Sequence, residues 1–167
     1  MALNAYLTLK GQTQGDIKGS VTQKGREDSI MVIAVIHEII SPRDPASGLP
    51  TGKRMHKPFT ITKELDKSTP LLYNALVNNE NIPTWKLKFF TPQLKAVSGA
   101  GNEVNHYTVE LMNANIANIT FRMANNKNPE LMKYAEYEEI AFTYQKITWT
   151  WTDGGITADD DWEAPRA

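Results

Sequence analysis

His37, His56 and His106 are the side chains of this 167-residue chain best suited to move a proton or hold a metal, because imidazole changes charge near neutral pH. None stands four residues from another or beside a cysteine, the spacings that mark a zinc site in a sequence. Each is therefore expected to be structural or exposed. The acidic run Asp159, Asp160, Asp161 and Glu163 has oxygens enough for calcium but lacks the alternating ligands and turn glycine of a calcium loop, and it reads as part of a solvated tail. Gly52 and Lys53 resemble the end of a phosphate-binding loop, yet Arg54 stands where Ser or Thr is required and Gly48 lies one residue too close. No serine sits in a Gly-x-Ser-x-Gly elbow. Glu138 and Glu139 are neighbours, so on a strand they point to opposite faces and form no acid–base pair by themselves. The residues predict no catalytic site, no metal site and no cofactor.

Composition narrows the function further. With no cysteine, a disulfide framework, thiol catalysis and thiolate metal sites are all excluded. A formal net charge of −1 with scattered basic residues gives no reason to expect a nucleic-acid partner, which needs a basic face. Met1 to Lys10 lacks the basic start and apolar run of a secretory signal, and no segment has the apolar length of a membrane span. A chain of this size fits one domain, residues 1–167, with a polar tail over about 153–167.

The elements that must position any site are mostly strands. Leu3, Ala5, Leu7 and Leu9 alternate with polar residues, the period of a half-buried strand. Ile30 to Ile36 reads IMVIAVI, apolar in both registers, which predicts one strand covered on both faces by another element or another subunit. Val32 and Val35 in that run become candidate subunit contacts. Pro42 to Arg54 is a long, turn-rich excursion, and Phe59 and Ile61 resume the strand pattern. Thr69 is placed to cap a helix with Pro70 at its first position, and Leu71, Leu72, Ala75 and Leu76 form its apolar stripe. Trp85, Leu87 and Phe89 alternate again. Tyr107, Val109 and Leu111 share an odd register with Ile119, Phe121 and Met123. Between them the Asn-rich stretch fits either one bent strand or two strands, with a bulge or corner there. Ile140, Phe142 and Tyr144 are even while Ile147, Trp149 and Trp151 are odd, which predicts a bulge near Gln145 or Lys146. These residues give a mainly β domain, a barrel or two packed sheets, with one helix and one long loop.

The stretch SGLPTGKRMHKPF, followed by TKELDKSTPLLYNAL, is similar to the Hcp family, the tube proteins of bacterial type VI secretion systems. The likeness continues in GQTQGDIKGSVTQKGREDSIMV, NEVNHYTVELMNANIANI, YQKITWTW and DDDWEAP, and so spans nearly the whole chain. The region FFTPQLKAVSGAGNE departs from the family's pattern, which more often has Arg where Thr91 stands.

The resemblance implies an Hcp-like β-barrel of two packed antiparallel sheets with one α-helix and an extended loop. It implies a structural subunit whose hexameric rings stack into a hollow tube, expelled by contraction of a sheath and carrying effector proteins in its lumen. Implied partners are other copies of the chain, a VgrG spike, the contractile sheath and effectors, with no nucleic acid and no membrane insertion. The implied route is from bacterial cytoplasm to the outside without a cleaved signal peptide. By resemblance, Pro42 to Arg54 is the loop that reaches a neighbouring subunit or ring, which makes Arg43, Asp44, Leu49, Lys53 and Arg54 interface candidates. The competing reading is a monomeric small-barrel module for oligosaccharide or single-stranded nucleic acid, with Trp85, Trp149 or Trp151 as stacking platforms.

Overall fold

Two antiparallel sheets share one long strand in the computed structural model, which describes residues 1–93 and 102–163. The departure noted in FFTPQLKAVSGAGNE falls partly on 94–101, outside the described residues. Strand β1 (Ala5–Gly11) turns into the short β2 (Gly15–Asp16) and also pairs with β3 (Ile30–Val32). Three further short strands, β4 (Ala34–Ile36) and the paired β5 (Ile39–Ile40) and β6 (Met55–His56), lead to β7 (Phe59–Glu64). After helix α1 (Thr69–Val77) come β8 (Ile82–Pro92), β9 (Glu103–Arg122), β10 (Tyr137–Thr143), β11 (Lys146–Trp151) and β12 (Ile156–Asp161).

The first half of β9 lies between β8 and β11, while its second half pairs with β10, then β7, then β4. The corner is at Asn113, whose φ of 51° is one that few non-glycine residues adopt and that Asn tolerates best. There the inward set changes from Val109 and Leu111 to Ala114 and Ile116. The bent-strand alternative is therefore the observed one. The odd register is interrupted there and returns at Ile119, which packs against the core after a second irregularity at Ala117, while Phe121 is 51% exposed.

Trp85 is the centre of the core, with Phe59 and Phe142 edge-on at 5.1 and 5.5 Å. Leu7, Ile30, Ile61, Leu72, Ile82, Leu87, Ile140 and Ile147 surround it, all fully buried.

Ile30 to Ile36 is corrected by the structure. It is two strands, not one: β3 joins β1 in one sheet and β4 joins β7 in the other, with Ile33 at the crossing. Both registers are apolar because the inward side changes there. Ile30 and Val32 are buried, while Ala34 and Ile36 are exposed, Ile36 by 73%. The change of register after Tyr144 has the same cause, since β10 and β11 belong to different sheets and Tyr144 and Ile147 are both buried.

At the helix, Leu72 and Ala75 are buried and Leu71 is half-exposed. Ser68, not Thr69, is the capping position. The first turn is organised by Asp66, whose Oδ1 accepts from Ser68 N at 2.9 Å and from the Ser68 hydroxyl. Thr69 Oγ1 instead accepts from Asp66 N and donates to Glu138. The acidic run is no solvated tail either. Asp159 to Asp161 lie in β12, paired with β11, and the Trp162 indole N–H donates to the carbonyl of Tyr144.

Candidate functional site

The excursion from Ser41 to Arg54 stands on a two-residue ladder, Ile39 against His56 and Ile40 against Met55. A further bridge joins Arg43 to Pro50. Asp44 builds the tip: its carboxylate accepts from Ser47 N at 2.9 Å and from the Ser47 hydroxyl, and its backbone bonds reach Gly48 and Leu49. These bonds hold the Asp44 carboxyl below its ordinary pKa, the Ser47 hydroxyl contributing most. Gly48, at φ 72°, closes the turn where a side chain would be strained. The loop is thus a structured arm. Its surface is apolar at Ile39, Leu49 and Met55, which are 37%, 65% and 52% exposed, and Ile36 of the neighbouring β4 is 73% exposed.

The interface candidates fall into three groups. Arg43, Leu49 and Lys53 are exposed, with Asp44 half-buried in the turn that presents them. Val32 belongs to the chain's own core at 2% exposure, and Val35 is partly buried against it. Arg54 points back to the body of its own chain: Nε meets Asp160 Oδ2 at 2.5 Å, Nη2 meets Oδ1 at 2.9 Å, and Nη2 also donates to the carbonyl of Asp161 at 3.1 Å. Bidentate guanidinium–carboxylate contacts of this kind fix orientation as well as position. Arg54 is an anchor for the arm.

Three more hydrogen bonds continue from that anchor, flanked by two ring contacts. Asp160 Oδ2 is 2.8 Å from His56 Nε2, His56 Nδ1 is 2.8 Å from the Tyr144 hydroxyl, and that hydroxyl is 2.7 Å from His37 Nε2. Trp162 stacks on His56 with ring centroids 6.1 Å apart, and Phe59 lies 4.9 Å from His37. Burial lowers the His37 pKa, and the nearby His56 lowers it further. Burial and, after it, the charge of Asp160 push the Tyr144 phenol well up. His106 is apart from this line and packs edge-on against Trp151 at 5.7 Å.

Asp160, His56 and Tyr144 have the connectivity of a nucleophile triad, but the attacking group is closed. Tyr144 is 5% exposed, its hydroxyl is held between two imidazoles, and its phenol titrates far above neutrality. The arrangement ties elements together. Sequence reading left His37 and His56 as structural or exposed, and it missed their link to Tyr144 and Asp160. The available signal was the position of the two histidines on either flank of the arm.

Other buried polar groups are structural in the same sense. Lys63, fully buried, meets Glu138 Oε1 at 2.7 Å and Asp66 Oδ1 at 3.0 Å. Glu138 and Glu139 take opposite faces, Glu138 buried and Glu139 half-exposed. Among the described residues no group of three His, Cys, Asp or Glu side chains is arranged to hold a metal, and no helix is long and apolar enough to cross a membrane.

Residues 6–151 match the family model described as "Type VI secretion system effector, Hcp". The chain is 39% identical to the "Major exported protein" of Pseudomonas aeruginosa, covering 100% of this chain and 99% of that one. A crystal structure of an Hcp protein superposes with a TM-score of 0.87 at 34% identity, covering 97% of this chain and 99% of that one. The Hcp1 protein of E. coli EAEC 042 superposes at 0.81 and 35% identity, covering 96% and 99%. The secreted protein Hcp3 of Pseudomonas aeruginosa does so at 0.75 and 32% identity, again covering 96% and 99%.

Proposed function

The chain belongs to the Hcp family of the bacterial type VI secretion system, and on that premise we propose that it is the structural subunit of the secretion tube. Six copies close into a ring, rings stack into a hollow tube, and a contracting sheath drives the tube outward behind a VgrG spike, with effector proteins in its lumen. The subunit leaves the bacterial cytoplasm by that route, without a cleaved signal peptide, and it acts mechanically, with no covalent step and no cofactor. It engages protein partners, not nucleic acid or a membrane interior.

The observation that carries this reading is the arm. A structured projection, anchored at its root by Arg54 and Asp160 and apolar at Ile39, Leu49 and Met55, has the composition of a contact surface looking for a second protein. Closed rings follow when such a surface meets a different patch on the next copy and the rotation closes. Arg43, Asp44, Leu49 and Lys53 make the contact, Ile36 and Val35 support it from the body, and Arg54 and Val32 act from within their own subunit. Of the three platforms in the binding-module reading, Trp85 is 1% exposed and packs edge-on within the core, and Trp149 is partly buried against it, while Trp151 is 47% exposed.

Solution mass from light scattering, with negative-stain images, tests the ring. Particles of six subunit masses with a central hole are expected. A protein that stays monomeric at tens of micromolar, the range of ordinary interfaces of roughly micromolar affinity, overturns it.

A further inference from the structure

The line Arg54, Asp160, His56, Tyr144 and His37 joins the two flanks of the arm to Asp160 in β12 and to Tyr144 between β10 and β11. Its proton arrangement can be worked out from what each atom is able to donate. Asp160 Oδ2 accepts, so His56 Nε2 donates to it. With His56 neutral, its Nδ1 then accepts from the Tyr144 hydroxyl, and the Tyr144 oxygen accepts from His37 Nε2. Every bond has one donor and they all run in one direction. If His56 takes a proton, its Nδ1 donates instead, the Tyr144 hydroxyl turns to His37 Nε2, and His37 holds its own proton on Nδ1. Again nothing is lost.

A second proton cannot be placed in this way. Both imidazoles would then donate to the same hydroxyl oxygen, the Tyr144 proton would lose both acceptors in the line, and two cations would flank one phenol in a half-buried site.

We propose that the His37–Tyr144–His56 bridge is an acid-released latch, which carries up to one proton without losing a hydrogen bond and parts the flanks of the arm from Tyr144 when the second is added, with Arg54 and Asp160 still holding the root. The charges around it are those such a device needs. Arg54 and Asp160 neutralise each other, and the neighbours Glu38 and Lys57 pair at 2.9 Å. On the β11–β12 hairpin, Lys146 pairs with Asp159 at 3.1 Å, and the Asp161 carboxylate accepts from Gln145 at 3.2 Å and from Glu163 N at 3.1 Å. No further carboxylate among these contacts meets His37. Its burial and the nearness of His56 hold its pKa down, so the latched form binds fewer protons there than the open form. Latching is at full strength above about pH 6.5, the ordinary imidazole value, and weakens as the pH falls below it.

The regulatory meaning rests on the tube reading: if the arm binds the next subunit, a neutral interior favours assembly and an acidic surrounding loosens it. The latch itself is tested on the subunit. Hydrogen–deuterium exchange of the full chain, corrected for intrinsic rates, is followed from about pH 7.5 to about pH 5, the span in which an imidazole titrates. Protection of amides 54–57 should fall about tenfold for each unit by which the His37 pKa differs between latched and open forms. Amides of β8 and the first half of β9 should keep theirs. In His37→Gln, whose side chain still donates to Tyr144 but takes no proton, the fall should be much reduced. In Tyr144→Phe the same amides should already be poorly protected at the neutral end. Flat protection in the wild type, or an unchanged pH response in His37→Gln, overturns the latch. Should either variant misfold, the wild-type profile still decides. Rings at neutral pH with flat protection reject the latch alone; monomers with a pH-dependent arm support the latch and reject the tube reading alone.

Discussion

Lys63 and Glu138 are the most demanding residues in the molecule, each a charge with no exposed surface. The Lys63 ammonium is surrounded by Glu138, Asp66, Thr69 and the carbonyl of Glu64, at 2.7 to 3.1 Å. Removing one partner strands the other, at a cost of about 3–5 kcal/mol, whereas replacing both by apolar groups of similar volume is often nearly neutral. Lys63→Met should therefore lower the urea midpoint sharply, and Lys63→Met with Glu138→Leu should recover most of the loss; a double variant as damaged as the sum of the singles would refute this pairing. Glu80 offers a second test. Burial acts to raise its pKa, but Gln14 Nε2 at 2.6 Å, Gln14 N at 2.7 Å and Thr13 N at 2.6 Å outweigh it and the carboxyl is held low. Its stabilisation is present above the ordinary carboxyl value of about 4.3 and is lost as pH falls through and below it. Glu80→Gln should cost about 1–3 kcal/mol at neutral pH and nothing extra in acid, so the two pH–stability curves should converge.

Among the elements, the arm is the proposed contact surface and the bent strand is what joins the two sheets. Replacing Ala46 to Thr51 with a brief Gly-Ser turn should leave the circular dichroism of the strands intact, because the loop's closure entropy changes by under about 1 kcal/mol per doubling of length. Ring stacking and export should fail instead. Loss of the fold would show that the arm belongs to the core, and normal stacking would remove its contact role. At the corner, Asn113→Gly should be tolerated and Asn113→Val should destabilise by about 1–2 kcal/mol, since a β-branched residue resists positive φ. Much of this was legible beforehand. Alternation revealed β1, β7, β8 and both halves of β9, and the asparagines located the corner. What alternation could not reveal was a change of sheet: the crossing at Ile33 looks like one doubly apolar strand because the register test assumes a single inward side. Strand β12 was hidden for a different reason. Its aspartates are unlikely strand formers by propensity, and only the distant Arg54 and His56 explain why Asp160 is buried there.

At the scale of the whole molecule, family membership and the arm's exposed apolar residues lead to the same account: a subunit built to be completed by its neighbours. Ile36, Leu49 and Met55 are costly to leave in water on a lone domain, and the proposed ring would give them a place. The central claim is self-assembly through that surface, and the most direct measurement is the mass of the purified chain at neutral pH over a range of concentrations, beside a Leu49→Asp variant. The account predicts six subunit masses for the wild type and a shift to smaller species for Leu49→Asp with its strand signal unchanged. A wild-type protein that remains a monomer throughout, or a Leu49→Asp ring as stable as the wild type's, would contradict it.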